Sequence, residues 1–416
     1  MKIAILGYGV EGKSAEKFLK SSLSCRTAKC WIEIRDVKKQ GKGYLKNLDK
    51  FDMVVRSPGI PFLSPEIQRA KKAGVEITST TKLFFQNAKG ILVGITGTKG
   101  KGTTATLLYK ILKASHLATG LPSGSVHLIG NMGIPMLDEL PKLKKNSISI
   151  LELSSFQLQD LDVSPHIAVV LDISPDHLNY HKSFKEYLEA KFPICNFQFS
   201  KNKAFYFSDN RYSEKIAMRG HGKKIPVLSD KNLKLKIPGA HNLKNASMAA
   251  AIARALGAEE SIIKKTIRNF KGLPHRLEFV REINGIRFYN DSASTNPAAT
   301  VAAISAFKEP KILIAGGAGK NLDYRPIGKV LKNSNTKLII LNGQNRKEIG
   351  RAISGAESSA PHIIYVKNLR SAINLAYKNV QKGGVIIFSP ASTGFDQFSG
   401  YGERGEFFKH AVVKLK

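Results

Sequence analysis

The sequence is short of acidic residues, of cysteine and of long apolar runs, and each shortage removes a class of protein. Against 65 lysines and arginines stand 32 aspartates and glutamates, a net charge of +33. The basic residues are scattered, with no basic tail, no long Lys/Arg run and no interleaved aromatics of the kind a nucleic-acid stacking surface needs. The excess reads as a solvated basic surface whose field also steers anionic small molecules, and no nucleic-acid partner is expected. Cys25, Cys30 and Cys195 fit neither a disulfide framework nor a zinc spacing. No apolar run approaches the roughly 18 residues of a membrane span. MKIAILGYG has only a short apolar run before glycine, a first strand rather than a signal peptide. A protein of the reducing cytoplasm is expected. Its 416 residues, 42% of them hydrophobic, are enough for two or three domains with real cores.

What the sequence does hold is one geometry used many times. Short β-branched runs end abruptly in Gly, Ser, Thr, Asp or Lys, which fits parallel strands buried on both faces. KIAILGYG, WIEIRD and FDMVVRSPGIP precede Asn87; ILVGIT, SISILELSSF and IAVVLDISPDH follow; GIRFYNDSAST, KILIAGGAGK, KLIILNGQ and GVIIFSPAST lie beyond His275. The expected fold is α/β in three domains with mostly parallel sheets. A Rossmann-like domain covers 1–87, a P-loop ATP-binding domain 88–274, and a second Rossmann-like domain 275–416. Ligands of open α/β sheets bind beyond the carboxyl ends of the strands. Glu152, Asp172, Asp291, Lys320 and Ser389 all stand at or just past such ends.

GITGTKGKGTTATLLYKIL, Gly94 to Leu112, is a strand, a glycine-rich loop and a helix, the context of a phosphate-binding loop. Its glycines let backbone amides approach phosphate oxygens at a helix N-terminus. Lys101 stands where the loop lysine belongs, but the next position, usually a magnesium-binding hydroxyl, is Gly102. Two repairs are open. Thr103 or its neighbour Thr104 follows on the same first turn, and Mg²⁺ at a nucleotide needs only one or two protein oxygens beside phosphates and waters. Glu152, ending an apolar strand, is the obvious carboxylate, because an ionised group there would be costly without a partner. His177, in DISPDHLNYHKS, is the next candidate ligand; His181 reads equally well as a surface residue.

SPGIP (57–61), GNMG (130–133), ELSSFQL (152–158), DHLNYHKSFKEYLEAK (176–191), GAHNLKN (239–245), GLPHRLE (272–278), NDSAST (290–295), AGGAGK (315–320) and SPASTGFDQFSGYGERG (389–405) occur in that order. Together they resemble the Mur ligases, in particular the branch that adds D-glutamate to UDP-N-acetylmuramoyl-L-alanine in peptidoglycan precursor synthesis. The likeness covers the whole chain. It implies an ATP- and Mg²⁺-dependent amide ligase, working as a monomer, in which the substrate carboxylate becomes an acyl phosphate and the amine of D-glutamate displaces phosphate. By the resemblance ATP is held by Gly97, Thr98, Lys99, Gly100, Lys101, Gly102, Thr103, Thr104, Asn131, Asn242, Asn245, Arg276 and Asp291. Metal is held by Thr103, Glu152, His177 and Lys191, the last as a carbamate; with Lys101 the latter three form the catalytic set. The UDP end falls to Gly9, Val10, Glu11, Asp36, Val37, Lys38, Ser57, Pro58 and Gly59, and the amino acid to Thr295, Lys320, Phe395 and Tyr401. Ala293 and Gly394 depart from the family pattern, which has lysine and serine there.

Two other readings stay in view. The G-K-G-T order of the loop resembles folylpolyglutamate synthetases, which lack SPGIP and ELSSFQL. GYGVEG (7–12) with Asp36 matches a dinucleotide-binding turn, but an oxidoreductase would leave the phosphate loop and Glu152 without a role.

Overall fold

A computed structural model describes residues 1–21, 30–118, 125–130, 135–177, 180–319, 322–354 and 361–415. Among the described residues sixteen strands form three sheets. The first has the order β2-β1-β3-β4, from β1 (Lys2–Leu6), β2 (Trp31–Arg35), β3 (Met53–Arg56) and β4 (Glu76–Ser79), all parallel. The second is ordered β10-β9-β8-β5-β7-β6, from β5 (Ile91–Thr96), β6 (Val126–Gly130), β7 (Ile148–Glu152), β8 (Ile167–Val170), β9 (Lys203–Phe207) and β10 (Lys223–Val227), again all parallel. The third is β11-β12-β16-β13-β14-β15, from β11 (Glu278–Ile283), β12 (Ile286–Asn290), β13 (Lys311–Ala315), β14 (Thr336–Leu341), β15 (His362–Tyr365) and β16 (Val385–Phe388). Only β11 runs antiparallel, as a hairpin with β12.

The sequence dictates which strands sit in the middle. β7, β8, β13 and β16 are buried at every residue, as the unbroken apolar runs require. Edge strands tolerate polarity: β10 is KKIPV, with Pro226 at a sheet edge where its missing N–H leaves no ladder bond unmade on the open side.

Residues 1–234 and 243–268 form one compact unit, and residues 235–242 and 269–416 a second. In the first unit one apolar core runs from Ile3 and Ile5 of β1 to Leu151 of β7 and Val170 of β8, and another, with Ala4, Leu6 and Val54, lies on the opposite face of the first sheet. The helices Val10–Ser21, Thr80–Asn87 and Met136–Glu139 pack on one another across it, and Ser14 Oγ donates to Asp138 at 2.9 Å. The first two sheets are thereby fixed together with their carboxyl ends available to one ligand. In the second unit apolar cores flank the sheet, one including Phe288, Ile386 and Phe408, another Leu313, Ile339 and Ile353, and a smaller one Tyr289, Phe307 and Ile387. Cys195 is a free, buried thiol, whereas Cys30 is disulfide-bonded, which corrects the expectation from cysteine spacing.

Candidate active site

The phosphate loop links β5 to the helix Lys101–Ala118. Gly100 has φ +86°, and a Cβ there would run into the Asn245 side chain, so the glycine is required both by the turn and by its neighbour. Asn245, 6% exposed, is therefore seated against the loop. Thr98 straps the loop to the segment after β8: its amide donates to Asp172 O at 2.9 Å and its hydroxyl to Ser174 O at 3.0 Å. Tyr187 Oη lies 2.9 Å from that same hydroxyl. The Lys101 ammonium folds over the loop, donating to Gly97 O at 3.0 Å and Thr98 O at 3.4 Å. Lys99 and Gly102 lie on the same turn, with no side-chain oxygen at Gly102. Thr103 is half-buried, while Thr104 is fully buried and its hydroxyl has no hydrogen-bond partner.

Glu152 is the last residue of β7, paired with Ile95 of β5 and Gly130 of β6. It is only 9% exposed, and its carboxylate makes no hydrogen bond or ion pair among the described residues. A carboxylate so placed, with no protein partner among the described residues, is a place for a cation. His177 adopts φ +52°, its ring half-exposed and edge-on to Phe156 at 4.9 Å. Asp176 Oδ1 accepts from the His177 amide at 2.9 Å. Lys191 is 1% exposed; its Nζ donates to Thr96 Oγ1, the end of β5, at 3.2 Å, and lies 4.6 Å over the Tyr187 ring. Burial first, and then the Lys101 ammonium, push the Lys191 amine well below its ordinary value, against the pull of Asp176. No cluster of three His, Cys, Asp or Glu side chains that could hold a metal occurs among the described residues. The donors nevertheless fit a nucleotide-bound Mg²⁺, which takes most of its oxygens from phosphate and water and needs one free carboxylate. Glu152 is the candidate for that carboxylate. Its chemistry would be neutralisation of phosphate charge.

A cleft of about 590 Å³ brings the two halves of this unit together. Gly9, Val10, Glu11, Asp36, Ser57, Pro58 and Gly59 line it with Lys101 and His177. Asp36 organises the first turn: its carboxylate accepts from Tyr8 N at 2.6 Å and Lys38 N at 2.8 Å, and those amides, Tyr8 before Lys38, hold it below the usual carboxylate range. Ser57 Oγ donates to Gly7 O at 2.9 Å. Burial raises the Glu11 carboxyl, and its Oε2 is buried without a partner. Val37 and Lys38 follow Asp36 on an exposed helix and do not line the cleft.

In the second unit Asp291, just past β12, is 5% exposed. Its carboxylate accepts from the hydroxyls of Ser294 and Ser389 (the latter at 2.7 Å) and from Leu277 N at 3.1 Å. Burial raises it to about 6 despite those bonds. Arg276 is exposed, Thr295 half-buried, and Phe395 and Tyr401 are 69% and 52% exposed. Asn242 donates to Pro238 O at 2.6 Å. At Gly394, where the family pattern has serine, an added Cβ would come within 3.3 Å of the Arg404 side chain, a tight contact to which Arg404 would have to give way slightly. Asn131 and Lys320 lie outside the described residues.

Residues 95–230 match the Mur ligase middle domain, and residues 275–392 the Mur ligase glutamate ligase domain. A UDP-N-acetylmuramoylalanine--D-glutamate ligase from Acetivibrio thermocellus is 36% identical over 408 residues, covering 90% of this chain and 85% of its own. The chain is a Mur ligase. A Thermoanaerobacter protein with the same name as the Acetivibrio one is 32% identical over 460 residues, covering 100% of this Mur ligase and 98% of itself. Among solved structures, a UDP-N-acetylmuramate-alanine ligase from Thermotoga maritima shares the fold over 100% of both chains, with TM-score 0.58 and 19% identity. The MurF ligase of that organism, solved in complex with ADP, covers 88% of this chain and 90% of its own, with TM-score 0.58 and 17% identity.

Several buried residues of this Mur ligase were not legible in the sequence. Arg56, at 0% exposure, pairs with Asp160 at 2.9 Å and donates to Phe156 O at 2.9 Å and Ile60 O at 2.8 Å, tying the SPGIP turn to ELSSFQL. An arginine closing an apolar strand, MVVR, was the available signal. His181 is not a surface residue: it is fully buried between Ser155 Oγ at 2.9 Å and Glu186 Oε1 at 3.3 Å. Burial lowers its imidazole from the ordinary value despite Glu186. Arg404, 2% exposed, donates to Ser292 and Ser392 carbonyls at 2.9 Å. Burial lowers that guanidinium to about 10.

Proposed function

We propose that this Mur ligase joins D-glutamate to UDP-N-acetylmuramoyl-L-alanine with hydrolysis of ATP, as a monomer in cytoplasmic peptidoglycan precursor synthesis. Residues 1–87 take the UDP end, 88–274 the ATP, and 275–416 the amino acid. The observation that carries the reading is the cleft that has the Gly9–Glu11 turn and the Ser57–Gly59 turn on the same walls as Lys101 and His177. A substrate anchored by its nucleotide at the first can present a carboxylate to a γ-phosphate at the second.

In this reading a substrate carboxylate oxygen attacks the γ-phosphorus and the bond to ADP breaks. The amine of D-glutamate then attacks the acyl carbon, loses a proton, and phosphate leaves. Phosphoryl transfer asks the protein for positioning and charge neutralisation more than for a nucleophile. Lys101 swings from its loop carbonyls onto the β- and γ-oxygens. Glu152, Thr103 and His177 would hold Mg²⁺, which would supply further charge neutralisation. Asn245, against the loop, orients the nucleotide. Lys191 would be held as a carbamate: burial favours its neutral amine, which attacks CO₂ and releases a proton, and the product is an anion where an ammonium would stand near Lys101. Thr295, Lys320, Phe395 and Tyr401 meet the D-glutamate, and Arg276 and Asp291 the nucleotide.

Phosphate release measured with UDP-N-acetylmuramoyl-L-alanine against a panel of D- and L-amino acids tests this. Turnover is expected only with ATP, the UDP substrate and D-glutamate together, and to fall about a hundredfold or more in Lys101→Ala. Equal turnover without the UDP substrate, or with another amino acid preferred, overturns it.

A further inference from the structure

We propose that His181 is the positioning residue that holds Glu152, His177 and Lys191 in one arrangement at the phosphate end of the cleft. The inference rests on the reading that those three residues serve the nucleotide and its cation.

His181 joins the three segments that carry them. Its Nε2 lies 2.9 Å from Ser155 Oγ, three residues past Glu152. Its backbone amide donates to His177 O at 3.0 Å, beside the left-handed turn at φ +52°. A non-glycine residue keeps that backbone only where its surroundings over-determine it. On the far side Nδ1 lies 3.3 Å from Glu186 Oε1, in the helix Phe184–Glu189 that leads to Lys191. The ring is enclosed by Phe156 at 5.6 Å, Tyr180 at 4.9 Å and Tyr187 at 5.5 Å, and Tyr187 itself reaches the phosphate loop through Thr98. With Nδ1–H donated to Glu186, Nε2 is left to accept from the serine hydroxyl. That atom order is the one hydrolases use to activate a serine. Here Ser155 is 1% exposed and sealed from the cleft, so the chain can only position. Each neighbour of a ligand-bearing segment is engaged through a different atom of one residue, and rotation of that residue would move all three.

The test uses the whole enzyme and two conservative half-replacements. His181→Asn keeps a group at Nδ1 toward Glu186, and His181→Gln keeps one at Nε2 toward Ser155; Ser155→Ala removes the serine alone. Mn²⁺ affinity in the presence of ADP is read by electron paramagnetic resonance, together with the half-saturating Mg²⁺ and the KM for the UDP substrate. Loss of an outer partner of a metal site weakens binding by about 10–100-fold. We expect Ser155→Ala and His181→Asn to weaken Mn²⁺ about tenfold and raise half-saturating Mg²⁺ in parallel, with the KM for the UDP substrate within about twofold of the parent; His181→Gln should recover much of the loss. If all variants bind Mn²⁺–ADP like the parent, or if every constant moves together with the melting temperature, His181 is merely structural and the proposal fails. If the parent does not bind Mn²⁺–ADP, the reading of the site fails and takes the proposal with it.

Discussion

Thr103 and Thr104 stand on the same helical turn and differ in what surrounds their hydroxyls. Thr104 is buried with its oxygen unpartnered, a cost that an apolar isostere removes. Thr104→Val is therefore expected to leave the Mg²⁺ requirement unchanged and to match or exceed the parent's melting temperature. Thr103 is half-exposed beside Gly102 and can turn its hydroxyl to an ion. Thr103→Val should raise the Mg²⁺ requirement and lower kcat roughly tenfold, the scale of one to two kcal/mol for a contact to a charged group. Titration of Mg²⁺ against turnover in both variants decides the assignment, and the reverse pattern would move the role to Thr104. Asp291 carries a second residue-level prediction. Its carboxyl sits at about 6 when folded, above the ~3.9 of an unfolded chain. Between those values the folded state holds a proton that the unfolded chain has released. Stability of the second unit should therefore fall as pH rises from about 4 to about 6 and level off above, by up to about 3 kcal/mol. Melting temperature against pH should show that slope in the parent and lose it in Asp291→Asn.

At the scale of elements, strand ends and the turns beyond them do the work. β3 ends in Arg56, and the turn after β7 ends near Asp160. Their buried pair joins the wall expected to take the UDP end to the wall that carries Phe156 and His177. Removing one partner of such a pair leaves an uncompensated buried charge, which costs about 3–5 kcal/mol. Arg56→Met should lose that much in urea unfolding, and Arg56→Met/Asp160→Leu should regain most of it. A single substitution costing under about 1 kcal/mol would show that the pair does not hold the turns together.

For the whole molecule the governing quantity is the +33 charge. Like charges at this density repel across the compact state and are screened within about 10 Å at 0.1 M salt. Raising NaCl from about 20 to about 300 mM, which shortens the screening length severalfold, should stabilise the folded protein by ~1 kcal/mol, a melting shift of about 1 °C for a chain of 416 residues. A falling melting temperature over that range would mean that specific ion pairs outweigh the general repulsion. No described helix is long and apolar enough to cross a membrane.

The α/β class, the central strands and the phosphate loop were legible because burial on both faces forces uninterrupted apolar runs, and such runs show in one dimension. ILVGIT, SISILE and KILIA are strands for that reason. β4, β6, β9, β10, β11 and β15 were not singled out: all but β9 lie at sheet edges, where only half a surface is buried and polar residues or a proline break the apolar run. Glu152 announced itself as a charge ending an apolar strand. Arg56 carried the same signal, but its meaning depended on Asp160, more than a hundred residues away. His181 had no local mark at all, since its burial comes from Ser155, Glu186 and three rings contributed by separate segments. The sequence by itself determined the family, the order of the motifs along the chain and the residues that end strands, because those follow from local periodicity and motif. Which side chains meet, and which of them are buried, neutral or left without a partner, was decided only by the tertiary structure, because burial and pairing are set by neighbours far along the chain.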